Sequence, residues 1–270
     1  MVRAVTETPK AIAIIQARCS STRLPGKVLK QLAGKPMIWH IAKRAESCEH
    51  VDQVVVATST ESSDDDLAKF CEQAGLGCFR GSLSNVLSRY LAVLEKYPHV
   101  CVVRVTGDCP LIHPPFIDRQ IELLHRHDAD MVRIDQPSFL LEGQGVHSSR
   151  SLKQVAERST HPDDLEHVGS RYFSENTGLF RTVELQVPEE LKGNRWRLTV
   201  DEEADYKLMA ELYGHLYQGK PISLEETTAF LERHPELAAT NQNIQHSPIN
   251  QELAAMRETN RSPVVATVPW

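Results

Sequence analysis

No stretch of about 18 consecutive apolar residues occurs in this 270-residue chain, so no membrane-spanning helix is expected. The opening, Met1 to Lys10, is polar and lacks the apolar core of a secretory signal, so a cytoplasmic protein is expected. A surplus of positive charge is also missing. The formal net charge is -6, which argues against broad contact with nucleic acid or an anionic membrane surface. A small anionic substrate stays open, because a local cationic pocket does not require a basic protein. The six cysteines (19, 48, 71, 78, 101 and 109) form no C-x-x-C pair, which fits reduced, packed thiols better than a zinc knuckle or a disulfide frame. No internal repeat is visible. The Walker G-x-x-x-x-G-K-[ST] and the dinucleotide G-x-G-x-x-G spacings are both absent, so any phosphate cradle must be built differently.

With 41% hydrophobic and 24% charged residues, the chain has the composition of a globular protein. Short apolar runs over Ala11–Ala17, Gln53–Ala57, Cys78–Arg80, Cys101–Val105 and Asp130–Ile134 predict strands. Between them, apolar residues recur at helical spacing in Met37–Ala45, Val86–Leu94 and Ile117–Leu124. This order predicts an α/β fold, a doubly wound and mostly parallel sheet with ligands at the carboxyl ends of its strands. Beyond residue 135 the rhythm changes. A turn-rich excursion over 136–145 precedes helices at Ser149–Arg158 and Asp163–Glu175 and a strand at Phe180–Val187. A short strand at Arg195–Val200 ends at Asp201, and helices follow at Glu202–Tyr217 and Leu224–Arg233. From Asn241 the chain is polar with scattered prolines, which predicts a tail or an arm on a partner subunit.

Directly after the first apolar run, residues 18–27 hold Arg18, Arg23 and Lys27, three hydroxyls and a Pro-Gly turn. A strand that opens into such a loop can present N–H groups and cations to a polyphosphate, which points to a nucleoside triphosphate. A basic loop by itself is more often plain solvated surface; the preceding strand and the Ser/Thr cluster tip the balance. The strand Cys101–Val105 runs into Thr106-Gly107-Asp108, and Arg197-Leu198-Thr199-Val200 runs into Asp201. Either aspartate alone suits a turn or a helix cap; as a pair at strand ends they suit Mg²⁺, which takes one or two carboxylates and fills its shell with water and phosphate oxygens. Asp64-Asp65-Asp66 resembles a D-x-D metal site, yet its place at a helix start favours capping. Trp39 and His40 are expected to pack, and the other histidines lack metal spacing. Nothing nearby marks Cys19 or Cys109 as a nucleophile. Arg80-Gly81-Ser82, where a strand meets a helix, either touches base and ribose or is a plain connection.

Taken together, Gln16-Ala17-Arg18 with Ser21-Thr22-Arg23-Leu24-Pro25-Gly26-Lys27 and Gly34-Lys35-Pro36-Met37 resembles the opening of sugar cytidylyltransferases, including the 3-deoxy-manno-octulosonate and acylneuraminate enzymes. Val55-Val56-Ala57-Thr58, Phe79-Arg80-Gly81, Val86-Leu87-Ser88-Arg89, Arg104 to Ile112 and Arg197 to Asp201 are similar to the spore coat polysaccharide biosynthesis protein F branch. The resemblance implies a nucleotide-diphospho-sugar transferase (GT-A-like) fold in one domain over 1–240, with a nucleotide half at 11–135, an acceptor and dimerisation half at 136–240 and a tail at 241–270. It implies transfer of CMP from CTP to an acidic sugar or related hydroxylated acceptor, with pyrophosphate released and Mg²⁺ required, by a homodimer that serves polysaccharide or glycoconjugate synthesis. Carried over by motif, Gln16, Ala17, Arg18, Ser21, Arg23, Lys27, Arg80, Thr106 and Gly107 bind nucleotide. Arg18, Lys27, Asp108 and Asp201 are catalytic, the two aspartates hold the metal, and Gln144, His147, Glu166 and His167 meet the acceptor. Relatives often have Asp where this chain has His113 and Asn85, and an acidic residue near Gln144 and His147. The nucleotide half thus keeps the pattern and the acceptor half departs from it. Two rival functions stand beside this one: a GT-A-like glycosyltransferase that uses a preformed nucleotide sugar, and a non-catalytic nucleotide-binding subunit.

Overall fold

In the computed structural model, which describes residues 10–135, 142–193, 195–245, 251–252, 255–256 and 264–270, the run Ala11–Ile15 is wholly buried within β1 (Ala11–Gln16). A tiny antiparallel hairpin, β2 (Gln31–Leu32) and β3 (Lys35–Pro36), follows. The remaining strands are β4 (Val51–Ser59), β5 (Gly77–Gly81), β6 (Cys101–Thr106), β7 (Met131–Ile134), β8 (Gln144–Ser148), β9 (Thr182–Gln186) and β10 (Val264–Pro269). Helices are α1 (Met37–Glu46), α2 (Asp65–Gln73), α3 (Val86–Lys96), α4 (Pro114–Arg126), α5 (Ser149–Arg158), α6 (Pro162–Glu166), α7 (Ser170–Glu175), α8 (Glu203–Leu216), α9 (Leu224–Arg233) and α10 (Pro235–Ala238). Among the described residues no helix is long and apolar enough to cross a membrane.

Eight strands form one sheet in the order β10-β9-β7-β8-β6-β1-β4-β5, all parallel except β8, which runs antiparallel to both β6 and β7. Because β1 is covered on both faces, its residues have no reason to alternate with polar ones, hence the unbroken apolar run. Ala11, Ala13 and Ile15 pack on one side with residues of α1, α4, α8 and α9, while Ile12 and Ile14 pack on the other with α3, α5 and α7. From β1 the chain builds outward to β4 and β5, then returns to place β6 on the other side of β1. The carboxyl ends of β1 and β6 therefore flank a topological switch point, where open α/β sheets bind ligands.

The fold corrects four expectations. Arg195–Val200 pairs with no strand; it is an irregular segment tied by side chains and by one backbone bond, Val200 N to Asp108 O at 2.8 Å. The helix expected over Asp163–Glu175 is two short helices, because Val168 (φ 54°) and Gly169 (φ 79°) reverse the chain between them. The end of the turn-rich excursion is a strand, β8, and its residues 136–141 lie outside the described residues. The polar tail also contributes structure. Asn241 is buried, and Val264–Pro269 adds the edge strand β10, with Trp270 stacked on Phe116 at 5.0 Å between ring centroids.

Candidate active site

Leaving β1, the chain folds back on itself: Gly26 N donates to Cys19 O at 2.8 Å, and Gly26 takes the left-handed conformation (φ 67°) that glycine tolerates best. Leu24 is buried and pins the loop, while Ser21 Oγ accepts from Leu24 N at 3.4 Å. The loop's base is held by Asp64, which accepts from Cys19 N at 2.6 Å and from Ser59 N and Oγ. Asp64 is fully buried and its side chain does not cap α2, so the expected capping role belongs to Asp65 and Asp66 in the first turn alone. Its burial also removes it from any D-x-D site that a metal could reach from solvent.

The loop delivers Lys27 between the two predicted carboxylates. Its Nζ donates to Asp108 Oδ2 at 3.2 Å, Asp201 Oδ1 at 2.9 Å and Val200 O at 2.8 Å. Burial alone would lower the Lys27 pKa, but Asp108 and Asp201 more than offset it and the net shift is upward. Burial likewise opposes ionisation of Asp108, and Lys27 with the Thr106 hydroxyl overcomes it, so this carboxyl titrates below its ordinary range. Arg23 reaches Asp201 Oδ1 at 3.0 Å and Glu202 at 3.8 Å, and Arg18 pairs with Glu166 at 3.0 Å.

Asp201 is itself braced from behind. Arg197 donates to Asp201 Oδ2 at 2.7 Å and to Asp205 Oδ1 at 3.0 Å. Asp205 also accepts from Asp201 N, Glu202 N and Asn241 Nδ2. Arg197 was read from the sequence only as the start of the motif ending at Asp201, and Asp205 and Asn241 were given no site role, although the four-residue steps 197–201–205 are visible there.

Gly107 shows why the ends of β1 and β6 can meet. A Cβ on it would lie 2.9 Å from both Ala17 Cβ and Gln16 O, so only glycine allows this approach. Its N–H bonds Gln16 O at 2.9 Å. Gly107→Ala is expected to push the two strand ends apart and cut kcat by roughly 100-fold, since misplacements near an ångström cost that much. Steady-state kinetics beside a thermal melt will separate this from unfolding.

The other predicted residues are distributed unevenly. Thr106 and Gly107 lie beside Asp108, and Ala17 N bonds Ala57 O at the end of β4. Gln16 Oε1 accepts from Arg104 Nε at 3.2 Å and Tyr90 OH at 3.4 Å. Arg80 donates to Ser59 O and Glu61 O and pairs with Asp65, an arrangement that ties β5 to the start of α2. Asn85 caps α3 by accepting from Ser88 N, which accounts for it without a ligand. Gln144 Oε1 accepts from His113 N at 2.9 Å, and the His147 ring stacks on Phe173. Burial, then the charge of Arg44, hold His113 down to about 4, so it is neutral at pH 7. Glu142, absent from the sequence-based candidates, accepts from Thr199 Oγ1 at 2.8 Å beside Cys109. Burial first, then Asp64, push the Cys19 thiol up to about 11, and burial raises the Cys109 thiol well above its ordinary value, so neither is an activated nucleophile.

No group of three or more histidine, cysteine or acidic side chains that could hold a metal occurs among the described residues. Asp108 and Asp201 nevertheless converge on one nitrogen and offer hard oxygen donors, which suits a cation that takes the rest of its shell from phosphate and water.

Comparison with known proteins places this arrangement. The cytidylyltransferase family profile matches residues 12–233. The spore coat polysaccharide biosynthesis protein SpsF of Bacillus subtilis (strain 168) is 31% identical over 229 residues, covering 83% of this chain and 95% of that protein. A 3-deoxy-manno-octulosonate cytidylyltransferase of Neisseria meningitidis serogroup A is 36% identical over 188 residues, covering 64% of this chain and 72% of that enzyme. The solved structure of a cytidylyltransferase from Leptospira borgpetersenii serovar Hardjo-bovis superposes with a TM-score of 0.79 at 27% identity, covering 88% of this chain and 100% of that one. The chain, with its sheet, its switch point and the paired carboxylates Asp108 and Asp201, belongs to the cytidylyltransferase family.

Proposed function

We propose that this cytidylyltransferase transfers CMP from CTP to a hydroxyl of an acidic sugar or a related hydroxylated acid and supplies a precursor for a polysaccharide or glycoconjugate. The observation that carries the site assignment is Lys27 Nζ, set 3.2 Å from Asp108 and 2.9 Å from Asp201 at the switch point, with Arg23 on the same carboxylate. The acceptor oxygen attacks the α-phosphorus in line. A new P–O bond forms as the bond from the α-phosphorus to its bridging oxygen breaks, and pyrophosphate leaves with the bonding pair while the hydroxyl proton passes to solvent. Catalysis rests on positioning and on compensating charge at the phosphate oxygens.

Arg18, Arg23 and Lys27 hold the triphosphate. In the present arrangement each is paired with a carboxylate, Glu166, Asp201 or Asp108, and triphosphate binding exchanges those partners for phosphate oxygens. Asp108 and Asp201 would hold Mg²⁺, which when bound neutralises phosphate charge and lowers the pKa of an oxygen on it. Gln16, Ala17, Ser21, Arg80, Thr106 and Gly107 line the nucleotide side, and Gln144, His147, Glu166 and His167 the acceptor side. A cytoplasmic homodimer accords with the family resemblance.

A pyrophosphate-release assay with each nucleoside triphosphate and Mg²⁺, run against a panel of sugar acids and hydroxy acids, tests this. Release should require CTP and one of the acids. Asp108→Asn should lower kcat/KM by roughly 100-fold, the scale of losing one preorganised charge-stabilising group. Unchanged Mg²⁺-dependent turnover in that variant would remove Asp108 from the site. Sugar transfer without pyrophosphate would overturn the reaction itself.

A further inference from the structure

Arg104 stands apart from the other arginines around the site. Arg18, Arg23 and Arg197 each have a carboxylate in ion-pair range, whereas among the described residues Arg104 has none, and its side chain makes one hydrogen bond there, from Nε to Gln16 Oε1. Both of its terminal nitrogens keep their donors. The side chain sits on β6 on the same face as Val102, and Val102 packs with α3, α5 and α7. Its register partner across the sheet is Gly145 of β8, and that of Val102 is His147, so Arg104, Gly145 and His147 share one face.

Gly145 has no structural reason to be glycine. Gly107 and Gly143 do: a Cβ on Gly143 would lie 2.2 Å from Cys109 Sγ, and Gly143 has φ 71°. Among the described residues a Cβ on Gly145 would meet only His147 Nε2, at 3.6 Å, and its backbone is not in the left-handed region. Glycine inside a strand weakens it, and where neither packing nor conformation demands it, close approach of a ligand is the remaining use. The open space lies beside Arg104 and His147. Just past α6, where Glu166 pairs with Arg18, His167 lies close enough to Arg104 to feel its charge. Burial, then the Arg104 charge, hold His167 below the usual histidine range. One guanidinium without a carboxylate partner, near His147 and His167, matches a carboxylate with hydroxyls next to it.

We propose that Arg104 is the specificity residue that binds the acceptor's carboxylate, over a floor kept open by Gly145 and beside His147 and His167. This rests on the assignment of an acidic acceptor made above.

The probe is whichever acid releases pyrophosphate in the panel, tested on the full chain and compared with its neutral methyl ester. Arg104→Gln, which keeps a donor for Gln16, should lower kcat/KM for the acid by roughly 100-fold, mostly through KM, as expected when one partner of a desolvated charge pair is removed. The preference for acid over ester should collapse with it, and Arg104→Lys should restore part of that preference. Gly145→Val should block the acid while leaving CTP affinity and the melting temperature at or above wild type. An active acid whose kinetics ignore both variants overturns the proposal alone. A panel in which no acid works, or in which only a neutral sugar does, overturns it together with the acceptor assignment.

Discussion

Lys27→Met should abolish measurable turnover and also loosen the fold. The ammonium is only 8% exposed and donates to two carboxylates and to Val200 O. Removing it leaves Asp108 and Asp201 facing each other with their main shared cation gone. Breaking a buried ion pair from one side costs roughly 3–5 kcal/mol, because the remaining charge stays buried. On the catalytic side, losing a preorganised donor to the leaving group costs roughly 1000-fold. The pH dependence gives an independent check. In the wild type the Asp108 pKa is depressed, so its contribution to stability is present at neutral pH and is lost as pH falls through its folded value, below the ordinary carboxylate range. The Lys27 pKa is raised, so its contribution persists to alkaline pH and is lost only above its ordinary value. In Lys27→Met the cause of the Asp108 depression is gone, and the stability gap to wild type should narrow on acidification. Urea melts between pH 4 and 8, beside pyrophosphate-release kinetics, read both effects. A variant that keeps wild-type stability and turnover would show that Lys27 is an ordinary surface cation.

What could be read from the chain, and what could not, divides along physical lines. Strand β1 was legible because burial on both faces makes its apolar run continuous, and the carboxyl ends of β1 and β6 were expected to bear the site, while the strand order that makes them a switch point is set by the fold. The loop that carries Arg18, Arg23 and Lys27 was legible for the same reason: it directly follows that run. Arg195–Val200 misled because alternation reports burial and not pairing. Leu198 and Val200 are buried, yet among the described residues the segment joins no strand and is tied by Arg197, Asn241, Lys27 and the Val200 N–H bond to Asp108 O. The break in the 163–175 helix was hidden since it depends on Asp164, a buried carboxylate that accepts from Ser159 Oγ and Tyr172 N, and on a valine with positive φ. Strand β10 alternates half-buried with exposed residues and finds its partner, β9, far away in sequence, so no local pattern announces it. Arg104 was read as part of a family motif; its lack of a carboxylate partner is a property of the folded site alone.

The strongest effect of a residue that touches no substrate should come from Asp205. It is 2% exposed and accepts from Arg197 Nε, Asn241 Nδ2 and the backbone N–H groups of Asp201 and Glu202. Through Arg197 it fixes one carboxylate oxygen of Asp201, and through the backbone it fixes Asp201 directly before Glu202, the N-cap of α8. Asp205→Ala strands the Arg197 guanidinium and two N–H groups together, a loss of roughly 3–5 kcal/mol that can prevent folding outright. Asp205→Asn is the informative partner. It keeps the shape and one acceptor oxygen, so it should fold, but its amide cannot accept from both Arg197 and the helix start. Asp201 then loses its fixed position, and kcat should fall by roughly 100-fold with CTP affinity changed far less, because Arg18 and Arg23 still reach the triphosphate. A purely structural role predicts the reverse pattern, lower stability with kcat per folded molecule intact. Active-site titration beside the melt decides between them. If Asp205→Asn turns over normally, Lys27 and Arg23 alone suffice to hold Asp201 in place.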